Sequence, residues 1–257
     1  MTAVIEAPTR RPRKRWPWIV AIVVVVIAVL LVAAELVARA VLPSTVRSLV
    51  IEQLELPADQ QLDVTASGIL LPQLITGTLD ELQLSSDEVT IGGITGSADV
   101  VATEVPIHGG ALGSAEGTIT IDQSQFASLL DAADLPISEI TLQEPNVVAQ
   151  GGIPLFGQEI PLGLTVTPGA QDGDLLLTPV SVTIGGKEID LQNLVGLLGD
   201  AGSDLSGPQR VCIADRLPAG IALTGLRVEG AKIVADISAD GDIAVDPKLL
   251  ENGTCSR

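Results

Sequence analysis

Aromatic side chains are almost missing from this sequence. Its 257 residues hold two Trp, two Phe and no Tyr. Both Trp, Trp16 and Trp18, lie near the N-terminus, so the remainder has only Phe126 and Phe156. Such a chain must build its core from Leu, Ile, Val and Ala, and it has no aromatic platform on which bases could stack. Imidazole and thiol are equally scarce: His108 is the single His, and Cys212 and Cys255 are the only Cys. That leaves room for a Cys/His zinc site or a Ser-His-Asp array in one place at most. His108, within Pro106-Ile107-His108-Gly109-Gly110, reads as a solvated turn residue.

Positive charge is scarce too, with 14 basic against 32 acidic residues and a net charge of -18. An acidic chain repels phosphate backbones, which argues against nucleic acid as a partner. Between Arg47 and Lys187 there is no Lys or Arg at all. The body therefore has no basic patch to grip anionic headgroups, and any lipid contact it makes must be mainly apolar. No glycine-rich loop ends in Lys-Ser/Thr, so a phosphate cradle of that type is absent. Asp236, Asp240, Asp242 and Asp246 suggest a calcium loop, but the spacing departs from the EF-hand and lacks its closing Glu. They read as a hairpin turn with solvated charges. Carboxylates suffice in number for a glycosidase pair, yet the domain has no Trp or Tyr to stack a sugar. The expectation is a non-enzymatic protein with no catalytic residues, metal or cofactor.

What the sequence does have is a long apolar run, Trp18 to Ala34, preceded by Arg10, Arg11, Arg13, Lys14 and Arg15. Seventeen residues are enough for a short membrane span, and the basic cluster places that end in the cytoplasm. Glu35 and Arg39 interrupt the pattern before Ala40, Val41 and Leu42 extend it. A cleaved signal peptide is the alternative, since Ala38-Arg39-Ala40 has the small-x-small form. The run exceeds the usual h-region length, which favours a retained anchor. Either way the domain is exported, and export agrees with a Cys212–Cys255 disulfide, although two free or buried thiols remain the alternative. The expected organisation is a basic tail over 1–15, an anchor or signal segment over 16–42 and an exported domain over 43–257. The expected place is the cell membrane, single-pass, with the C-terminal domain outside the cytoplasm.

Pro43 reads as the exit from the anchor, followed by a helix from Ser44 to Leu56 with Val46, Leu49, Val50 and Leu54 on one face. Then the period changes to two, which marks strands. Alternating stretches run over Leu62–Ala66, Leu79–Leu84, Glu88–Ile91, Ala98–Val105 and Gly117–Ile121. More follow at Glu139–Leu142, Asn146–Ala149, Ile160–Val166, Asp174–Ile184, Lys187–Ile189, Ile221–Val228 and Lys232–Ile237, with a short last piece at Ile243–Val245. Gly92-Gly93, Gly96 and Gly109-Gly110 read as turns, and Asp172-Gly173 and Asp240-Gly241 as tight hairpins. Two short helices, led by Asp122 and Asp190, share one spacing and each carry one apolar stripe. The segment Gly68 to Gly77 is apolar, contains Pro72 and is bracketed by Gly; it reads as a one-turn plug or an apolar lip.

The run Gly68…Pro72-Gln73-Leu74…Gly77 ahead of a strand, with Leu217-Pro218-Ala219-Gly220-Ile221 and then Leu226-Arg227-Val228-Glu229-Gly230, resembles the LmeA-like family of actinobacterial envelope proteins. The resemblance covers Ser44 to Val245. Where the family carries an aromatic in its first motif, this chain has the aliphatic Ile69 to Leu71. The resemblance implies an α+β fold: a long curved antiparallel sheet wrapped around short amphipathic helices, as in tubular lipid-binding proteins, with an apolar tunnel or groove. It implies phospholipid as the ligand, the cell membrane as a partner, and a role in lipoglycan assembly beside glycolipid-assembly proteins. Candidate lining residues are Leu70, Leu71, Leu74, Ile75, Phe126, Leu129, Leu130, Phe156, Leu194 and Leu197. A non-catalytic scaffold that binds a protein partner and no lipid is the alternative. Native mass spectrometry separates the two by showing whether lipid co-purifies.

Overall fold

The computed structural model describes residues 16–53, 61–91, 94–125, 137–155, 158–191 and 207–255. The first element, α1, is a single helix from Trp16 to Gln53. It is apolar all round along its first half, and none of the apolar stretch is buried in the protein. Leu30 and Leu36 are 62% and 63% exposed. Pro43 lies inside α1 rather than ending it. The ring removes the N–H that would reach the Arg39 carbonyl. Directly after it the hydroxyls of Ser44 and Thr45 donate to the Val41 carbonyl at 2.8 and 3.2 Å. Packing explains why the helix continues: Ala38, Leu42 and Val46, spaced four apart, lie against a cluster of Val64, Leu70, Leu79 and Leu82. The expected break at Pro43 and the separate helix from Ser44 are thus replaced by one helix whose contact stripe begins earlier.

After α1 come β1 (Asp63–Ala66), the short helix α2 (Leu70–Thr76), β2 (Thr78–Ile91), β3 (Ile94–Pro106) and β4 (Ser114–Asp122). Then follow β5 (Ile137–Gln143), β6 (Asn146–Leu155), β7 (Gln158–Gln171), β8 (Asp174–Ile184), β9 (Lys187–Asp190), β10 (Gln209–Val211), β11 (Ile221–Glu229) and β12 (Lys232–Ala239). They form two open antiparallel sheets. The first has the order β1-β2-β3-β4-β12-β11. The second runs β10-β8-β7-β6-β5, with β9 pairing the other end of β8. A bridge between Gly173 and Leu223 joins the β7–β8 turn to β11. Neither sheet closes on itself. Register shifts at Ser86/Val89, Thr165/Val166 and Leu223/Gly225 mark bulges, which bend strands and raise their twist, so an open sheet can curve.

Most alternating stretches are strands, and β8 has the expected bounds. The differences have local causes. Leu79–Leu84 and Glu88–Ile91 belong to one strand, β2, interrupted by its bulge. Gly96 lies within β3 and not in a turn. A Cβ there would meet the Thr120 carbonyl oxygen at 2.5 Å, so glycine permits the close approach of β4. Asp240-Gly241 starts a 3-10 turn over Gly241–Ala244, where a last strand piece was expected. The Asp240 carboxylate accepts from the Asp242 N–H at 2.8 Å, which favours the turn. The strand β10 has too few residues to show a period and went unread. Asp172 and Gly173 form the expected tight turn with φ of 53° and 85°. Asp122 and Asp190 end the strands β4 and β9, and the helices expected after them fall mostly on residues outside those described. A disulfide joins Cys212 to Cys255, and the tail is further stitched by Gly253 N–H to Leu217 O at 3.0 Å.

Candidate functional site

In an antiparallel ladder, directly paired residues project from the same face, so the registers sort every strand into two faces. In the second sheet one row across the strands is Ile140, Ala149, Leu164, Val182 and Ile189. The next is Ile137, Gly151, Leu162 and Ile184. Leu142, Val147 and Val166 continue the same face. The opposite face carries Glu139, Thr141, Gln150, Thr165, Ser181, Thr183 and Glu188. There the Ser181 hydroxyl donates to Glu188 Oε1 at 2.7 Å. One face is therefore aliphatic and the other polar.

The aliphatic face has a trough. Ala149 and Gly151 form its low centre on β6, with Ile137 on one side and Leu162 and Leu164 on the other. The trough encloses about 500 Å³. Leu164 and Ile184 in its wall are 42% and 49% exposed, far above what a packed core leaves.

The first sheet repeats the design. Its rows are Ala66, Leu82, Ala102, Ala115, Ala239, Ile221 and Val64, Leu84, Val100, Gly117, Ile237, Leu223. Small residues again hold the middle. At the β1–β2 end this face is covered by α1 and α2. Its polar reverse carries Asp99, Glu116, Thr118 and Asp236, with Arg227 paired to both Glu229 and Asp236. Those two carboxylates, Glu229 foremost, raise the Arg227 pKa above the ordinary guanidinium value. Of the four aspartates that suggested a calcium loop, Asp236 pairs with Arg227 and Asp240 and Asp246 accept backbone N–H groups. Among the described residues no three His, Cys, Asp or Glu groups converge on a metal position.

The segment Gly68 to Gly77 folds as α2 with its flanks. Leu70 is 2% exposed and sits in the cluster with Val64, Leu79 and Leu82. Leu71 and Leu74 are half-buried. Ile75 is 85% exposed and Ile69 64%. Phe126, Leu129, Leu130, Phe156, Leu194 and Leu197 lie outside the described residues. His108 is exposed in its turn, as its sequence context suggested.

Sequence reasoning missed two features. The trough residues were legible as strand, but which strands would pair was not. Glu35 and Arg39 looked like mere interruptions of an apolar run. In the structure Glu35 reaches across to α2: Leu70 N–H donates to its Oε1 at 3.0 Å and Leu71 N–H to its Oε2 at 2.9 Å. Arg39 Nε donates to Glu35 Oε1 at 2.9 Å, and Arg39 Nη2 to the Gly68 carbonyl at 2.6 Å. The i, i+4 spacing of Glu35 and Arg39 puts both on one side of α1, and it was the available signal.

Open antiparallel sheets with one polar and one aliphatic, partly accessible face define a protein that can hold an apolar ligand against a sheet. The chain belongs to the LmeA-like phospholipid-binding family, whose model matches residues 33–238, most of its length. No curated protein and no solved structure matches it.

Proposed function

We propose that this chain is a membrane-tethered, extracytoplasmic phospholipid carrier, which takes acyl chains into the aliphatic trough of the second sheet and supports lipoglycan assembly in the cell envelope. The observation that carries the reading is the uninterrupted aliphatic character of paired rows from β5 to β9, with Leu164 and Ile184 still open to solvent. An acyl chain needs no directional partner, and each CH₂ withdrawn from water contributes about 0.8 kcal/mol. Family membership names the ligand class, and the exposed apolar half of α1 supports the tether. Membership of a phospholipid-binding family supports action by binding. The disulfide is in keeping with an oxidising compartment.

Native mass spectrometry of the full chain purified in mild detergent tests the reading. A bound mass released on activation and identified as phospholipid is the expected result. A chain that carries none, and takes none from phospholipid vesicles, acts instead as a scaffold in the envelope.

A further inference from the structure

We infer that the exposed stripe Ile69, Pro72 and Ile75 of α2 is a membrane-docking surface, resting on the outer leaflet of the same bilayer that α1 crosses. The inference rests on the anchor reading above and goes further, because it fixes where the domain sits and from which leaflet it draws lipid. The three residues are spaced three apart and all exposed, while Leu70 and Gln73 face inward. Ile75, at 85% exposed, is left open by the described residues of its own chain. Ile107, 41% exposed, adjoins the stripe, since its N–H donates to the Gly77 carbonyl at 2.9 Å.

The position of the stripe follows from α1. The apolar run ends at Ala34, and the next residue, Glu35, already holds Leu70 and Leu71. No linker separates anchor from domain. Seventeen helical residues rise about 26 Å at about 1.5 Å each, against a hydrocarbon core of about 30 Å. Glu35 therefore lies at the hydrocarbon edge, and α2 beside it is at headgroup depth. A carboxylate there needs partners, and it has two backbone N–H groups and Arg39. Contact through aliphatic residues also suits a body with no Lys or Arg between Arg47 and Lys187.

The scarcity of Trp supplies the probe. Trp16→Phe and Trp18→Phe remove both native indoles, after which Ile75→Trp, Ile69→Trp or Ile27→Trp introduces a single one. The full chain is placed in nanodiscs with brominated lipids. Ile75→Trp and Ile69→Trp should both emit blue-shifted light and be quenched by bromine near the headgroup, equally in phosphatidylcholine and phosphatidylglycerol discs. Ile27→Trp should be quenched by bromine deep in the acyl region. Unquenched indoles at both 75 and 69, with position 27 quenched, overturn the docking surface and leave the anchor standing. An unquenched indole at 27 overturns the anchor, and the docking with it. Quenching at 75 confined to phosphatidylglycerol overturns an apolar contact. Adding Glu35→Ala should remove the quenching at 75 and leave that at 27; quenching that persists at 75 overturns the clamp.

Discussion

The Glu35 carboxylate of α1 accepts the Leu71 N–H at 2.9 Å, across 36 positions of sequence. Together with its bond to Leu70, this caps a helix whose own preceding residue, Ile69, offers no side-chain acceptor. Helix starts leave N–H groups without partners, and a carboxylate is well suited to receive them. The cap here comes from another element. The apolar helix α1 thereby becomes part of the domain, and the Ala38-Arg39-Ala40 stretch that resembled a cleavage site lies inside that contact.

Removing the carboxylate should free α2 without unfolding the sheets. In Glu35→Ala, amide hydrogen exchange at Leu70 and Leu71 is expected to accelerate, while the paired amides of β7 and β8 keep their protection. Unchanged exchange at Leu70 and Leu71 would show that α2 is held by its apolar contacts alone.

Core and trough should answer mutation differently. Leu70 is enclosed by Val64, Leu79 and Leu82, so Leu70→Ala should cost about 2–5 kcal/mol in denaturant unfolding. Leu164 is 42% exposed on the trough wall, so Leu164→Asp should leave stability nearly unchanged and weaken phospholipid uptake from vesicles. Gly151→Leu, which fills the low centre, should weaken uptake in the same way. Full uptake by both trough variants would move the acyl site elsewhere.

The Cys212–Cys255 bridge closes a loop of about 44 residues, which the chain-entropy account values at up to about 4 kcal/mol. Cys212→Ser with Cys255→Ser should lower the midpoint of chemical unfolding, with the dependence on denaturant altered as the unfolded chain loses its crosslink. An unchanged midpoint would mean that the backbone stitches from Glu251 to Ala219 and from Gly253 to Leu217 carry the tail by themselves.

Much of the fold was legible because strands advertise themselves locally. The alternation over Asp174–Ile184 predicted β8 to the residue, and Asp172-Gly173 predicted its turn. Glycine was harder to read. Gly109-Gly110 lies in a turn with positive φ, whereas Gly96 lies in a strand because the Thr120 carbonyl crowds it from β4. The same residue type answers two demands, and only the neighbouring strand tells them apart. Pro43 misled for a similar reason: its local cost is real, but Ala38, Leu42 and Val46 pack on both sides of it and hold the helix together.

By itself, then, the sequence determined an apolar N-terminal helix, an aliphatic body of antiparallel strands and a pair of cysteines fit to bond. These follow from residue type and short-range period. The trough and the clamp belong to the tertiary structure. Ala149 comes between Ile140 and Leu164, and Glu35 meets Leu71, through strand register and helix docking. Both are long-range pairings that leave no trace in local periodicity. A one-residue slip of β6 would turn Ala149 to the polar face and fill the trough, so what decides the site is the register that burial of the whole sheet selects.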